Sequence, residues 1–278
     1  MRTLVLAAAL LAGCSDAARP SDAAIAERVA DATERLSATE PGRRVLAAID
    51  AHGGLEAWYA TGPIRYRYTY TRLDSTGAPS GDPIDTRQLV DPWAARAVHT
   101  LAADSSVSFG WTGAQAWTRP TGAEVGTDAR FWSLTPYYFV SIPFVFADPG
   151  VVLAAAAADT LDGRPVDVVR VTFEPGTGDA PDDYYDLMLD PETRRVRGIH
   201  YVVSYGPFNP DGGHTPETLM VYDGAQAVGG VEIQEGFRSF DSATGTPKAR
   251  GEVTELAAVA ATHADFAPPP GAEILPDL

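Results

Sequence analysis

Two hydrophobic periods divide the chain. Over residues 23–36, AAIAERVADATERL, the apolar side chains Ile25, Val29 and Leu36 share one broad face while Glu27, Arg28, Asp31 and Arg35 lie largely outside it. That spacing predicts an amphipathic helix. Val45, Leu46 and Ile49 repeat it in a second helix, opened by Pro41-Gly42 and stopped at Gly53-Gly54 with His52 beside its end. Proline near a start and glycine past an end are the expected punctuation. LEAWYA predicts a third, short helix before Gly62-Pro63 turns the chain.

After Pro63 the period falls to two. Ile64, Tyr66, Tyr68 and Tyr70 share one side, with Arg65, Arg67, Thr69 and Thr71 on the other, as in a strand of a half-buried antiparallel sheet. Further strands are predicted over 87–90, 94–101, 107–112, 114–118, 151–161, 166–173, 184–189, 196–205, 218–222, 231–240 and 251–259. Asp162-Gly163 has the chemistry of a hairpin turn, and Asp190-Pro191-Glu192-Thr193 joins two alternating runs. Residues 206–217, GPFNPDGGHTPE, read as a long loop. Helices before strands, without βαβ alternation, give an α+β class with a large antiparallel sheet and segregated helices. No internal repeat or second-domain boundary interrupts residues 23–278, which read as a single domain.

One stretch fits neither period. FWSLTPYYFVSIPFVFADPG, residues 131–150, holds four phenylalanines, a tryptophan and two tyrosines. It is too broken by Ser133, Thr135, Pro136, Ser141 and Pro143 to span a bilayer, which takes about 20 apolar residues. The start, MRTLVLAAALLAGCSD, has a positive end, a short apolar core and a small-residue exit, the pattern of an export signal. Residues 15–22, SDAARPSD, are polar and read as a tether. Cys14 is the only cysteine, so no intramolecular disulfide can form. With 37 acidic against 21 basic residues, a formal charge of -16 and Lys248 the only lysine, a nucleic-acid partner is excluded.

Leu11-Ala12-Gly13-Cys14 resembles a bacterial lipobox. The resemblance implies a signal peptide over 1–13, acylation of Cys14 by diacyl and N-acyl (palmitate-like) chains, a lipidated tether over 14–22, and contact with membrane lipid through that anchor. Ser15, in place of the aspartate that marks inner-membrane retention in such lipoproteins, implies an outer-membrane location, with the domain facing the periplasm. The lipobox, the leading helices ending near AAIDAHGGLEAW and the long meander with its aromatic insertion resemble the LolA/LolB-like superfamily, and within it outer-membrane lipoproteins with a His-Gly-Gly segment. The match is visible at His52-Gly53-Gly54, at 184–193 (YYDLMLDPET) and at Val228-Gly229-Gly230-Val231, within residues 40–265. It implies a curved sheet forming an incomplete β-barrel, closed by N-terminal and mid-chain helices around an apolar cavity that takes a hydrophobic small molecule, lipid or lipoprotein cargo.

Inside such a shell, Tyr66, Tyr68, Tyr70, Trp132, Tyr137, Tyr138, Phe139, Phe144 and Phe146 are the candidate cavity residues, with residues 131–150 as lid or rim and His52 as a candidate polar contact. Ordinary core packing is the competing reading for all of them. Tyrosine suits a wall that is apolar with a wet edge. His52 also suits a helix C-terminal cap, where imidazolium is favoured by the dipole. Asp179, Asp182, Asp183 and Asp186 lack calcium-loop spacing, and neither a metal nor a cofactor is expected. No nucleophile elbow, metalloprotease helix, phosphate loop or dinucleotide fingerprint occurs. Two alternatives stay open: a structural or protein-interaction lipoprotein with a filled core, and a hydrolase in which His52, His200 or His214 meets a carboxylate in a cleft.

Overall fold

Ser21 and Thr39 start the helices. In this computed structural model, which describes residues 17–180 and 182–278, the Ser21 hydroxyl accepts the Ala24 N–H and opens α1, Asp22–Ser37. Thr39 accepts from Gly42 N–H and opens α2, Glu40–Ala51, with Pro41 in the first turn, where a missing N–H costs no hydrogen bond. Helix α3, Leu55–Thr61, follows after one short break. Cys14 and the signal-like segment 1–13 lie outside the described residues.

The break carries the His-Gly-Gly segment, and its glycines have different roles. Gly53 has φ +113°, and a Cβ there would lie 2.5 Å from the Gly230 carbonyl oxygen and 2.8 Å from Val231 Cα. The Glu232 N–H donates to the His52 carbonyl at 2.8 Å, locking the two backbones together. Gly54 has φ +88°, but its Cβ would meet only an Asp50 carboxylate oxygen at 3.8 Å. Gly53→Ala is therefore expected to cost about 2–4 kcal/mol through backbone strain plus overpacking, and Gly54→Ala about 1 kcal/mol. Equilibrium urea unfolding of both variants checks this, and equal losses would refute the interlock.

Sixteen strands follow among the described residues: β1 Ile64–Arg72, β2 Ile84–Asp91, β3 Arg96–Leu101, β4 Ser108–Trp111, β5 Ala116–Arg119, β6 Val151–Ala155, β7 Asp159–Leu161, β8 Arg164–Phe173, β9 Tyr185–Leu189, β10 Val196–Tyr201, β11 Thr218–Asp223, β12 Gln226–Val228, β13 Val231–Ile233, β14 Gly236–Asp241, β15 Pro247–Ala258 and β16 Glu273–Ile274. Fourteen make one sheet in the order β16-β5-β4-β3-β2-β1-β15-β14-β11-β10-β9-β8-β6, with β7 beside β8; β12 and β13 form a separate hairpin. Neighbours are antiparallel throughout, and the N-terminal meander joins the C-terminal one where β1 pairs with β15 along Ile64↔Ala258 to Arg72↔Ala249. The end strands β16 and β6 do not pair with each other, so the curved sheet remains an open, incomplete barrel.

Alternation decides which face is inside. Tyr66 and Tyr68 of β1 are buried, Arg65 is exposed, and Arg67 forks outward onto Asp85 at 2.8 and 2.5 Å. The inner faces of β1, β8, β9, β10 and β11 share one large buried cluster with Val45 and Ile49 of α2. A small second cluster, around Leu161, Val168 and Met188, covers part of the outer face. The Asp162-Gly163 turn has φ of +51° and +72°, the geometry of a tight hairpin matched to strand twist.

Three predicted elements differ. The run 151–161 breaks into β6 and β7, which pair with separate stretches of β8, Val169–Phe173 and Arg164–Val166, and 231–240 breaks into β13, paired with β12, and β14, set between β11 and β15. The aromatic stretch is helical: α4, Ala129–Trp132, is capped by Asp128, α5 spans Thr135–Val140 with Pro136 in its first turn, and a 3-10 turn covers Phe144–Ala147. Short helices with proline at their starts leave no 3.6-residue signal long enough to read.

Candidate functional site

A concave pocket of about 260 Å³ opens where α4 and α5 face the ends of β8 and β9, the intervening 174–184 loop and the segment that follows β10. Its wall is mostly apolar: Phe131, Leu134, Tyr138 and Phe139 from the helical side, Phe173 and Tyr185 from the sheet, and Val203 and Tyr205 beyond β10. Asp128 fixes the rim by accepting two hydrogen bonds, from the Phe131 N–H at 2.9 Å and from the Tyr205 hydroxyl at 3.1 Å. Arg130 ties down the loop. Its guanidinium forks onto Asp179 at 2.6 and 3.0 Å, reaches Asp277 at 3.2 Å and stands 5.4 Å from the Trp111 ring.

Rings pack around the deep side. Tyr138 and Phe173 lie 5.6 and 6.0 Å from Tyr185, spacings at which aromatic pairs attract. At the mouth, Phe131 touches Tyr205 and Phe208 at 5.1 and 4.9 Å, and Phe208 is exposed. Beneath α4, the buried His99 stacks on Phe109 at 4.4 Å and its Nε2–H donates to the Ser133 carbonyl at 2.8 Å. Burial pushes the His99 pKa down to about 4, so the ring is neutral.

Two polar groups in the wall stand out. The Tyr138 hydroxyl is buried with no hydrogen-bond partner among the described residues. Asp183 is 9% exposed, accepts the Ser204 N–H at 2.5 Å, and forms no ion pair among the described residues. Burial raises its pKa to about 6. The neighbouring aspartates are dispersed: Asp179 holds Arg130 and Asp186 holds Arg170. No group of three or more metal-ligating side chains occurs among the described residues.

The structure distributes the sequence-predicted residues between pocket and core. Tyr138 and Phe139 line the pocket. Tyr66, Tyr68, Trp132, Tyr137, Phe144 and Phe146 are buried in the main cluster, with Tyr70 half-buried beside it. Phe144 stacks on Trp58 at 4.6 Å, Tyr70 meets Trp132 at 4.9 Å, and the Tyr137 hydroxyl donates to the Pro92 carbonyl at 3.5 Å. His52 caps α2 away from the pocket, with Nδ1 at 2.8 Å from the Ala48 carbonyl. Burial lowers its pKa, so the cap is a neutral imidazole donating one N–H, where the dipole argument alone expects imidazolium.

A Ser/His/Glu group does assemble, on the outer side of the sheet. The Ser242 hydroxyl donates to Glu217 Oε1 at 2.7 Å and lies 2.8 Å from His200 Nδ1, which is itself 3.1 Å from the same carboxylate oxygen. Tyr184 donates to the other oxygen, Oε2, at 2.5 Å. Burial alone would raise the Glu217 pKa; the hydrogen bonds from Tyr184 and Ser242 and the nearby His200 outweigh it and hold it low. A proton relay needs serine and carboxylate on opposite ring nitrogens. Here both sit on Nδ1, so the group braces the strand ends of β10, β11 and β14.

No family model matches the sequence, and no curated protein matches it. Solved structures do match in fold. A LolA superfamily protein from Nitrosomonas europaea aligns with TM-score 0.56 at 8% identity, covering 82% of this chain and 98% of its own. A DUF1329 family protein from Desulfovibrio piger aligns with TM-score 0.52 at 9% identity, covering 87% and 97%. At such identities the shared property is the fold alone.

Proposed function

We propose that this protein is a lipid-anchored envelope protein, held at the outer membrane through Cys14, whose single domain over residues 23–278 binds a hydrophobic ligand such as an acyl chain. The observation that carries the reading is the pocket of about 260 Å³ beside α4 and α5, walled by Leu134, Tyr138, Phe139, Phe173 and Tyr185. Its fold likeness to a LolA superfamily protein agrees with it. A large cluster of buried side chains packs on the inner face, which would suit a purely structural lipoprotein; the pocket is what favours ligand binding over that reading. Its volume lies just below the usual range of ligand sites, about 300–1,000 Å³, so it suits one chain or a small hydrophobe more than a whole multi-chain lipid.

A neutral fluorescent probe, N-phenyl-1-naphthylamine, is expected to bind the purified protein with a blue-shifted emission and to be displaced by decanol. Ala180 lines the pocket from the loop, and Ala180→Trp, which fills that space, is expected to weaken probe binding about tenfold or more, since each excluded methylene contact is worth about 0.8 kcal/mol. Absence of probe binding by the wild-type protein, or equal binding by the tryptophan variant, would refute the reading.

A further inference from the structure

We propose that the pocket selects a hydrophobic ligand carrying a positively charged head, a single-chain alkylammonium, with the cation seated between the Asp183 carboxylate and the Tyr138, Phe173 and Tyr185 rings. This deepens the proposed function and rests on it.

The case starts from charge left over. Asp183 is nine-tenths buried, lines the pocket, and has the Ser204 amide as its hydrogen-bond donor with no cation paired to it among the described residues. A buried carboxylate without a cation is costly, and a ligand that brings one removes the cost. The cation already in the wall cannot serve, because Arg130 is committed to Asp179 and Asp277. The other charges acting on Asp183 are Asp182 and His214. Counting Arg130, Asp179 and Asp183, the groups lining the pocket carry a net negative charge.

Ring geometry points the same way. Tyr138 lies 5.6 Å from Tyr185 and 6.3 Å from Phe173, so three π-systems meet in the wall of the pocket that Asp183 also lines, and aromatic faces attract ammonium groups. An alkyl carboxylate of the same length would instead place a second anion by Asp183. The pocket is thus built to reject fatty acids, the opposite of what a generic acyl-chain site would do.

Calorimetric titration of the purified protein at pH 7.5 with decylammonium, decanol and decanoate, each below its micellar concentration, tests this. Decylammonium is expected to bind about tenfold or more tighter than decanol, the size of a charge-assisted contact, and decanoate weakest. Asp183→Asn is expected to bring the ammonium-to-alcohol ratio close to one. Glu34→Gln, which removes an exposed charge from α1, should leave the ratio as it is, excluding general attraction to an acidic surface. Decanol binding as tightly as decylammonium, or a preference that survives in Asp183→Asn, would overturn the charge selectivity while leaving the hydrophobic pocket intact. If none of the three binds, both the selectivity and the pocket reading fail.

Discussion

Replacing Phe144 by alanine is expected to lower the free energy of unfolding by about 3–5 kcal/mol, the cost of deleting a fully buried aromatic side chain and leaving a cavity. The ring is 0% exposed, stacked 4.6 Å from Trp58 with planes 10° apart and edge-on to His52 at 6.5 Å. Trp58 comes from α3 and His52 from the end of α2, so one phenylalanine joins the aromatic segment to both helices. Its neighbours Val145, Phe146 and Ala147 are buried too, leaving the site no mobile side from which to collapse. Val152→Ala, on the exposed edge strand β6, should change stability by less than about 0.5 kcal/mol. Urea unfolding measures both. A loss below about 1 kcal/mol for Phe144→Ala would mean that residues 144–147 form a detachable lid and not part of the core.

Replacing Asp183 by asparagine is expected to do the reverse and stabilise the protein at pH 7.5 by about 2–3 kcal/mol. Burial lifts this carboxyl from the usual 3.8 to about 6, so the folded protein keeps a proton that the unfolded chain has already released. Charging the group in the folded state therefore costs stability. That cost is absent below about pH 4, grows as pH rises and is complete above about pH 6. Asparagine carries no charge and can still accept the Ser204 N–H. The difference between variant and wild type should thus be largest at neutral pH and shrink toward zero near pH 4. Contributions common to both chains, such as the acid-labile neutral His99, cancel in that difference. A variant less stable than wild type at pH 7.5 would mean that Asp183 is compensated in the folded state, and the argument for a cationic ligand would lose its energetic basis. A binding group that weakens the fold is the usual trade between stability and function.

The fold was legible where side chains repeat. The tyrosine and arginine alternation of 64–71 placed Tyr66 and Tyr68 inside, and the spacing of Ile25, Val45 and Ile49 located the buried helix faces. The turn chemistry of Asp162-Gly163 was readable because both residues must take positive φ. The His-Gly-Gly segment was visible as a motif, but its reason was not: the constraint at Gly53 comes from Gly230, far along the chain, and distance in sequence hides it. The residues of the aromatic stretch were legible as greasy but showed no helical period, because its turns are too short; mid-chain helices were expected from the resemblance alone.

The pocket was only half legible. Tyr138 and Phe139 belong to a stretch whose composition draws attention, whereas Phe173, Tyr185 and Tyr205 look like ordinary strand and loop residues. Asp183 gave no signal that set it apart from Asp179, Asp182 and Asp186. It sits in GDAPDDYYD among aspartates that face solvent or arginines, and only the return of the chain after β10, bringing the Ser204 amide to its carboxylate, sets it apart. Long-range pairing made the same difference for Ser242, His200 and Glu217, which meet only because β14, β11 and β10 are neighbours in the sheet.

Native mass spectrometry of the protein released gently from its own membrane, followed by solvent extraction and identification of whatever accompanies it, bears most directly on the hydrophobic pocket. A one-to-one adduct carrying a single aliphatic chain, absent from the Ala180→Trp variant, is the predicted result. A wild-type protein that arrives bare, and that takes up none of the alkyl compounds offered to it, would contradict the account.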